Sequence, residues 1–316
     1  MIAFGPVPSR RLGMSLGVNN IPPKICTYSC IYCQLGRTLK TSVKRRGFYP
    51  PDRILDEVKR KVSEAGVKID YITFVPDGEP TLDVNIGEEI DLLRALGFRI
   101  AVLSNASLLW DPDVREDLMN ADLVSVKIDT TDEGIWKRIN RPHQSLKLAQ
   151  LLEGVRDFAA GYSGDLITES MLIRDLNDDD GSLRGIAEFL SEVDPEKAYI
   201  SAPIRPPAES WALPPAEERL NAAYQIMSEI LDRVELLVSH EEGAFVSAGD
   251  VRSDILSITA VHPMREMALR SILDRRGEDW TLVERLLECG DLMETLYSGE
   301  RFYIRRLKSP ERLPSQ

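Results

Sequence analysis

Apolar and polar residues follow two alternating periods along most of this chain. Short β-branched runs, apolar on both faces, occur at residues 15–21, 71–75, 99–104, 123–129, 166–173 and 197–204, with a weaker one at 234–239. Between them apolar residues recur at helical spacing, which predicts helices over 53–64, 85–96, 112–119, 134–139, 146–160 and 183–193. Strands that are hydrophobic on both faces and separated by helices build a parallel sheet with covered faces. About six such repeats predict an α/β fold of βα-barrel type, open or closed, with its chemistry at the carboxyl ends of the strands. The loops after Ile21, Val75, Ser104, Val126 and Ile204 would then surround one mouth.

Beyond residue 203 the rhythm changes. A proline-rich stretch, IRPPAESWALPP, leads into a helix over 217–231, and a bridging helix is expected near 250–260. Two further helices (262–275 and 281–289) and two alternating runs flanking Ser298-Gly299 predict a small winged-helix-like α+β module ending in a hairpin. The expected division is 1–240 for the barrel, 241–261 for the bridge and 262–316 for the module. The module holds ten basic and ten acidic residues, so a protein-contact or substrate-presenting role competes with nucleic-acid binding.

A chain of 316 residues with 43% hydrophobic and 28% charged residues suffices for one large core and a small second unit. No apolar run is long enough to span a membrane and the N-terminus lacks a signal-peptide pattern, so a cytoplasmic protein is expected. Its net charge of −12 disfavours whole-surface attraction to nucleic acid or anionic lipid. Residues 37–46, RTLKTSVKRR, break that trend with five basic side chains and no acid. This run reads either as a solvated loop or as a path for an anionic substrate.

Three of the four cysteines, Cys26, Cys30 and Cys33, fall within eight residues, which is a metal or redox pattern rather than a disulfide framework. A [4Fe–4S] cube normally takes four thiolates, so three would leave one iron open for chemistry. Zinc would need a fourth ligand, yet His143, His240 and His262 are all remote in sequence. Simple electron transfer would favour complete cysteine ligation. Cys289 reads as a buried apolar residue of the tail.

CTYSCIYC resembles the CxxxCxΦC signature of radical S-adenosylmethionine (radical SAM) enzymes, with Tyr32 in the aromatic position. The surrounding segment, GPVPSRRLGMSLGVNNIPPKICTYSCIYCQLGRT, is similar to an archaeal and bacterial subgroup related to the radical enzymes of wybutosine synthesis. The resemblance implies a partial (β/α)6 barrel. It also implies a [4Fe–4S] cluster on the three cysteines, S-adenosylmethionine on the open iron and an external low-potential electron donor. Reductive cleavage of the sulfonium would give a 5′-deoxyadenosyl radical that takes hydrogen from a substrate. That substrate is an RNA nucleoside or a protein or peptide; a non-catalytic iron–sulfur protein is the alternative from another class.

By the same resemblance Asp77-Gly78-Glu79-Pro80 is similar to the GGEP motif that holds the methionine amino group, with Asp77 replacing the first glycine. Asn105, after Ser104, and the same-face pair Ser125 and Lys127 would contact ribose and the methionine carboxylate; Asp129 is an alternative ion-pair partner for Lys127. Ile204 would offer backbone groups to the adenine. Thr168, Glu169, Asp175, Asn177 and Asp178 would support adenosine or substrate, although Asn177-Asp178 also reads as a helix cap. Arg10, Arg11 and Arg205 are candidate substrate anchors, because guanidinium forks suit phosphates and carboxylates. Trp211 is a candidate for stacking a nucleobase; Tyr28, Tyr49, Trp110 and Trp136 are expected to pack.

Overall fold

The computed structural model describes residues 2–237, 250–261, 263–297 and 299–306. An eight-stranded sheet runs in chain order from β1 (Ala3–Ser9) through β2 (Gly13–Val18), β3 (Tyr71–Phe74), β4 (Arg99–Ser104), β5 (Leu123–Lys127), β6 (Asp165–Met171) and β7 (Lys197–Ser201) to β8 (Val234–Leu237). From β2 onward every neighbouring pair is parallel. Helices α1 (Pro51–Glu64), α2 (Ile86–Arg94), α3 (Pro112–Leu118), α4 (Glu133–Ile139), α5 (Leu148–Gly161), α6 (Asp180–Val193) and α7 (Glu217–Ser228) connect them. Each expected strand and helix of this region is present. Strands β2, β3, β5, β6 and β7 stop sooner than their hydrophobic runs, because those runs continue into loops that are largely buried.

β1 has no counterpart among the expected strands. Proline at two of its positions and a glycine hid it, yet it pairs antiparallel with β2 as the sheet edge, where missing N–H donors are tolerated. Its presence corrects the placement of Arg10 and Arg11. They occupy the hairpin turn at the amino ends of the parallel strands, the end opposite the mouth.

Residue alternation along each strand separates two environments. Outward residues such as Leu16, Ile72, Val102, Val124 and Ile200 meet the helices in the main core. Inward residues Tyr71, Ala101, Leu123, Ile167, Tyr199 and Leu237 form one cluster around Leu12, so the sheet curls about its own inner face. Arg10 donates to the Leu237 carbonyl at 3.2 Å, tying the β1–β2 turn to the far edge strand. Further along, the inner face turns polar at Ser125, Lys127, Glu169 and Ser201. An apolar floor beneath a polar mouth is the result.

The tail contains α8 (Val251–Val261), β9 (Met264–Arg265), α9 (Glu266–Arg276), α10 (Thr281–Glu288), β10 (Leu292–Tyr297) and β11 (Glu300–Arg305). Its three strands pair antiparallel in the order β10-β11-β9. Ile255, Leu269, Ile272, Val283, Leu286, Phe302 and Tyr303 are buried in it, and Val7 of β1 packs against its core. Tyr297 Oη also donates to the Pro203 carbonyl at 2.8 Å, and Lys61 Nζ lies 3.8 Å from Asp254. Cys289 is exposed, not buried as expected, because α10 ends at Glu288 and leaves it at the cap. The expected boundary at 240/241, His240 and His262 lie outside the described residues. No described helix is long and apolar enough to cross a membrane.

Candidate functional site

The loop leaving β2 carries Cys26, Cys30 and Cys33 across the carboxyl ends of the strands, and backbone hydrogen bonds fix its course. Ser29 N and Ile31 N donate to the carbonyls of Asn140 (3.1 Å) and Ile139 (2.9 Å), while Cys33 N donates to the Cys30 carbonyl at 3.2 Å. On the other side Lys24 N donates to the Asp77 carbonyl (2.7 Å), and Glu79 N to the Ile25 carbonyl (3.1 Å). The loop is thus fastened to the ends of both β3 and α4. Gly78 approaches it so closely that a Cβ there would stand 1.9 Å from the Ile25 carbonyl oxygen, so only glycine fits.

Side-chain amides reach two of the thiols. Asn105 Nδ2 lies 3.6 Å from Cys26 Sγ and Asn140 Nδ2 lies 3.6 Å from Cys30 Sγ. Burial pushes the Cys26 thiol up to about 12, with the Glu79 carboxylate adding to the rise, and pushes Cys30 up further. Buried thiols of this kind ionise only when a cation takes the charge. Among the described residues no three Cys, His, Asp or Glu side chains converge as ligands of a single ion. Three thiols carried on one loop suit a cluster, in which each thiolate takes a different iron.

The Asp77–Glu79 turn divides its carboxylates between two tasks. Glu79 is saturated: Thr81 Oγ1 (2.7 Å) and Ser104 Oγ (2.8 Å) donate to Oε1, and Asn105 N (2.7 Å) donates to Oε2. Its carboxylate is a brace between the ends of β3 and β4. Asp77 is also buried, yet its Oδ1 has no partner, and burial pushes the group up to about 6 against the pull of the Lys24 ammonium. An orphaned buried acceptor beside the thiols fits a ligand's ammonium group. Asn105, expected at ribose, instead donates to Thr27 Oγ1 at 2.8 Å and accepts from Ser107 N at 3.0 Å.

Lys127 and Glu169 are register partners on β5 and β6. Lys127 Nζ donates to Glu169 Oε1 at 3.0 Å and stands 4.9 Å from the centre of the Tyr32 ring. Arg11 crosses the interior from the hairpin turn to pair with the same carboxylate, and Ser201 Oγ donates to it at 2.9 Å. Burial alone would raise Glu169, but the Lys127 and Arg11 cations hold its carboxyl well below the usual carboxylate range. Burial alone would lower Lys127; the Glu169 and Asp129 carboxylates outweigh it and leave the ammonium raised. The ion-pair partner of Lys127 is therefore Glu169, not Asp129. Arg11 is an interior counter-ion that reaches Glu169 from a backbone position at the opposite end of the strands.

Asp129 serves the cysteine loop. Its Oδ2 accepts from Tyr32 Oη (2.5 Å) and Asn140 Nδ2 (2.7 Å), and its Oδ1 from Met171 N (2.9 Å). Asn177 is no cap: it is wholly buried, donates to the Asp129 and Met171 carbonyls and accepts from Ile173 N. The cap of α6 is Asp179. Thr168 points to the helix side of the sheet, opposite to Glu169, as strand alternation requires. Ser125 is buried on the inner face, Ile204 lies half-buried beyond β7, and Arg205 donates to Gln34 Oε1 at 3.3 Å. Trp136 packs edge-on against Tyr28, whereas Trp110 and Trp211 are about half exposed, at 45% and 51%. Asn140 and Glu209 were not among the expected site residues. Glu209 clamps Arg37 (2.7 Å) and Arg141 (2.5 Å) beside the cysteine loop, a meeting of segments far apart in sequence that carries no local signal.

A curled parallel sheet with a three-thiol loop across its mouth defines a barrel class in which the protein positions a redox centre at the strand ends. The model of the Radical SAM superfamily matches residues 20–184, and the chain belongs to that family. It is 44% identical over 314 residues to a UPF0026 protein of Methanocaldococcus jannaschii, covering 98% of both chains. A UPF0026 protein of Helicobacter pylori strain J99 is 34% identical over 208 residues, 65% of this chain and 67% of that protein. Among solved structures, TYW1 with a lysine-pyruvate adduct bound shares the fold with a TM-score of 0.55 at 17% identity, over 69% of this chain and 74% of that one. Streptococcus suis SuiB bound to S-adenosylmethionine gives 0.53 at 11% identity, over 73% and 53%. The protein is a radical SAM enzyme, and its cofactors are a [4Fe–4S] cluster and S-adenosylmethionine.

Proposed function

We propose that Cys26, Cys30 and Cys33 hold the cluster and that this chain modifies a nucleoside of RNA by hydrogen abstraction. The observation that carries the first part is the loop itself: three thiols at the strand ends, with the fourth cysteine, Cys289, in the tail beyond α10. Bound together, cluster and S-adenosylmethionine supply a reductive cleavage that leaves a hydrogen-abstracting 5′-deoxyadenosyl radical. The chain's residues place and shield that chemistry. Asp77 Oδ1 accepts from the methionine ammonium, and Gly78 lets the turn approach the loop. Lys127 gives one N–H to Glu169 and keeps two for the methionine carboxylate. Tyr32, fixed by Asp129, walls the site from water, while Ser125 and the backbone near Ile204 face the nucleoside half of the cofactor. Asn105 steadies the loop through Thr27.

The nucleoside reading is supported by Trp211, half exposed on the loop after β7 and six residues from Arg205. An exposed indole offers a stacking face, and a guanidinium on the same loop offers an anion partner. The tail, with its helices and strand-paired hairpin, is read as a winged-helix-like module that presents substrate to the mouth. An external low-potential carrier supplies the electron, and the site of action is the cytoplasm.

The test is anaerobic. Protein reconstituted with iron and sulfide, reduced with dithionite and given S-adenosylmethionine is expected to form 5′-deoxyadenosine, read by mass spectrometry. Cys30→Ala should bind no stable cube and form none. A complete cube in Cys30→Ala would overturn the ligand assignment. Absence of any binding to tRNA by the wild type would overturn the nucleoside reading.

A further inference from the structure

The basic run at 37–46 does not form one surface. Arg37 is drawn to Glu209, and Arg45 folds beneath the chain, donating to the carbonyls of Thr81 (2.9 Å) and Asp83 (3.0 Å) and pairing with Asp117. Lys40, Lys44 and Arg46 stay exposed, and among the described residues none of the three forms an ion pair. In a chain of net charge −12, these three unpaired cations line one cavity of about 440 Å³ together with Ser42, Phe48 and His143.

That cavity is built onto the cysteine loop. Ser42 N donates to the Cys26 carbonyl at 3.0 Å and His143 N to the Thr27 carbonyl at 2.8 Å. The Cys26 backbone is the partition, with its thiol on the Asn105 side and its carbonyl on the cavity side. His143 Nδ1 lies 2.9 Å from Ser145 Oγ and 3.3 Å from the Ser145 amide, so the ring is held by its Nδ1 edge. The Arg46 guanidinium lies 4.8 Å from the centre of the Phe48 ring, so the cavity joins an aromatic face to its cations. Clustered donors with no carboxylate to neutralise them match a phosphoryl group, and the adjoining ring matches a base.

We propose that this cavity is a phosphate-recognition site, holding a nucleotide phosphate of the substrate on the outer side of the cysteine loop with a base against Phe48. The assignment rests on the nucleoside reading above and adds where the substrate is gripped. The phosphate belongs either to a free nucleotide or to a strand, and the test separates the two.

Binding of a short fluorescent single-stranded RNA is measured by anisotropy over a range of salt, with AMP and inorganic phosphate as competitors. Neither reductant nor S-adenosylmethionine is added, so the outcome is independent of 5′-deoxyadenosine formation. Lys40→Glu with Lys44→Glu is expected to weaken RNA binding by about tenfold or more. The slope of log affinity against log salt should flatten by about 0.7 for each phosphate that is no longer neutralised. Lys40→Arg with Lys44→Arg should retain both, and the melting temperature checks that each variant folds. AMP binding that the reversal abolishes, with no RNA binding, would support the site and assign it to a free nucleotide. Equal binding of RNA and AMP by wild type and reversed chain would overturn the proposal. So would displacement of RNA by an acidic peptide when neither AMP nor phosphate competes.

Discussion

Glu169 sits between two cations, and its environment determines how the polar mouth responds to pH. Because Lys127 and Arg11 depress its carboxyl in the folded chain, the stability it contributes is present above the unfolded carboxylate value of about 4.3 and is lost as pH falls below it. Glu169→Gln strands both cations in the interior. Urea denaturation at pH 7 is expected to show a loss of about 3–5 kcal/mol, shrinking below about pH 4 as the unfolded wild-type chain takes up the proton that the folded carboxylate refuses. A loss that stays constant with pH would contradict this account. Gly78 is constrained sterically instead. In Gly78→Ala the methyl carbon meets the Ile25 carbonyl, so the loop must shift, at a cost of about 1–3 kcal/mol. A lower melting temperature and weaker S-adenosylmethionine binding are expected together, the first by calorimetry and the second by titration.

At the scale of elements, α6 shows how capping rather than hydrophobicity sets a boundary. Asp179 Oδ1 accepts from Ser182 N at 3.1 Å and Oδ2 from Ser182 Oγ at 2.6 Å, and these bonds hold the carboxyl below its ordinary value. The helix begins at Asp180, three residues before its first core residue, Leu183. Asp179→Ala should cost about 1 kcal/mol in urea melts, with no change in the cluster's absorbance. Just upstream, Asn177 spends its amide on the Asp129 and Met171 carbonyls. Its place in the chain suggests a cap, but its burial makes it a tie between the ends of β5 and β6.

Across the whole molecule, the tail is joined to the barrel by a mixed interface. Val7 enters the tail's core, Lys61 faces Asp254, and Tyr297 Oη holds the Pro203 carbonyl on the loop that follows β7. Lys61→Ala with Tyr297→Phe removes these two polar contacts while leaving the apolar packing. Calorimetry is expected to show one transition for the wild type and two for the variant, with the tail melting first. A single unshifted transition would show that the apolar packing alone couples the units.

The periodic pattern alone determined the parallel βα frame, because a strand buried on both faces and an amphipathic helix each leave a local signature in spacing. It also brought the cysteine motif and the turn at Asp77–Glu79 to the same end of the sheet. Tertiary structure decided what long-range contacts decide. Arg11 became an interior counter-ion because β1, masked by its prolines, turned residues 10–11 into a hairpin at the opposite end. Lys127 found Glu169 rather than Asp129 because strand register faces the first pair, while Asp129 lies past the strand end among Tyr32, Asn140 and Met171. Of the basic residues at 37–46, only the fold could show that Arg37 and Arg45 are neutralised while Lys40, Lys44 and Arg46 are left open, since the carboxylates that take the first two come from distant parts of the chain.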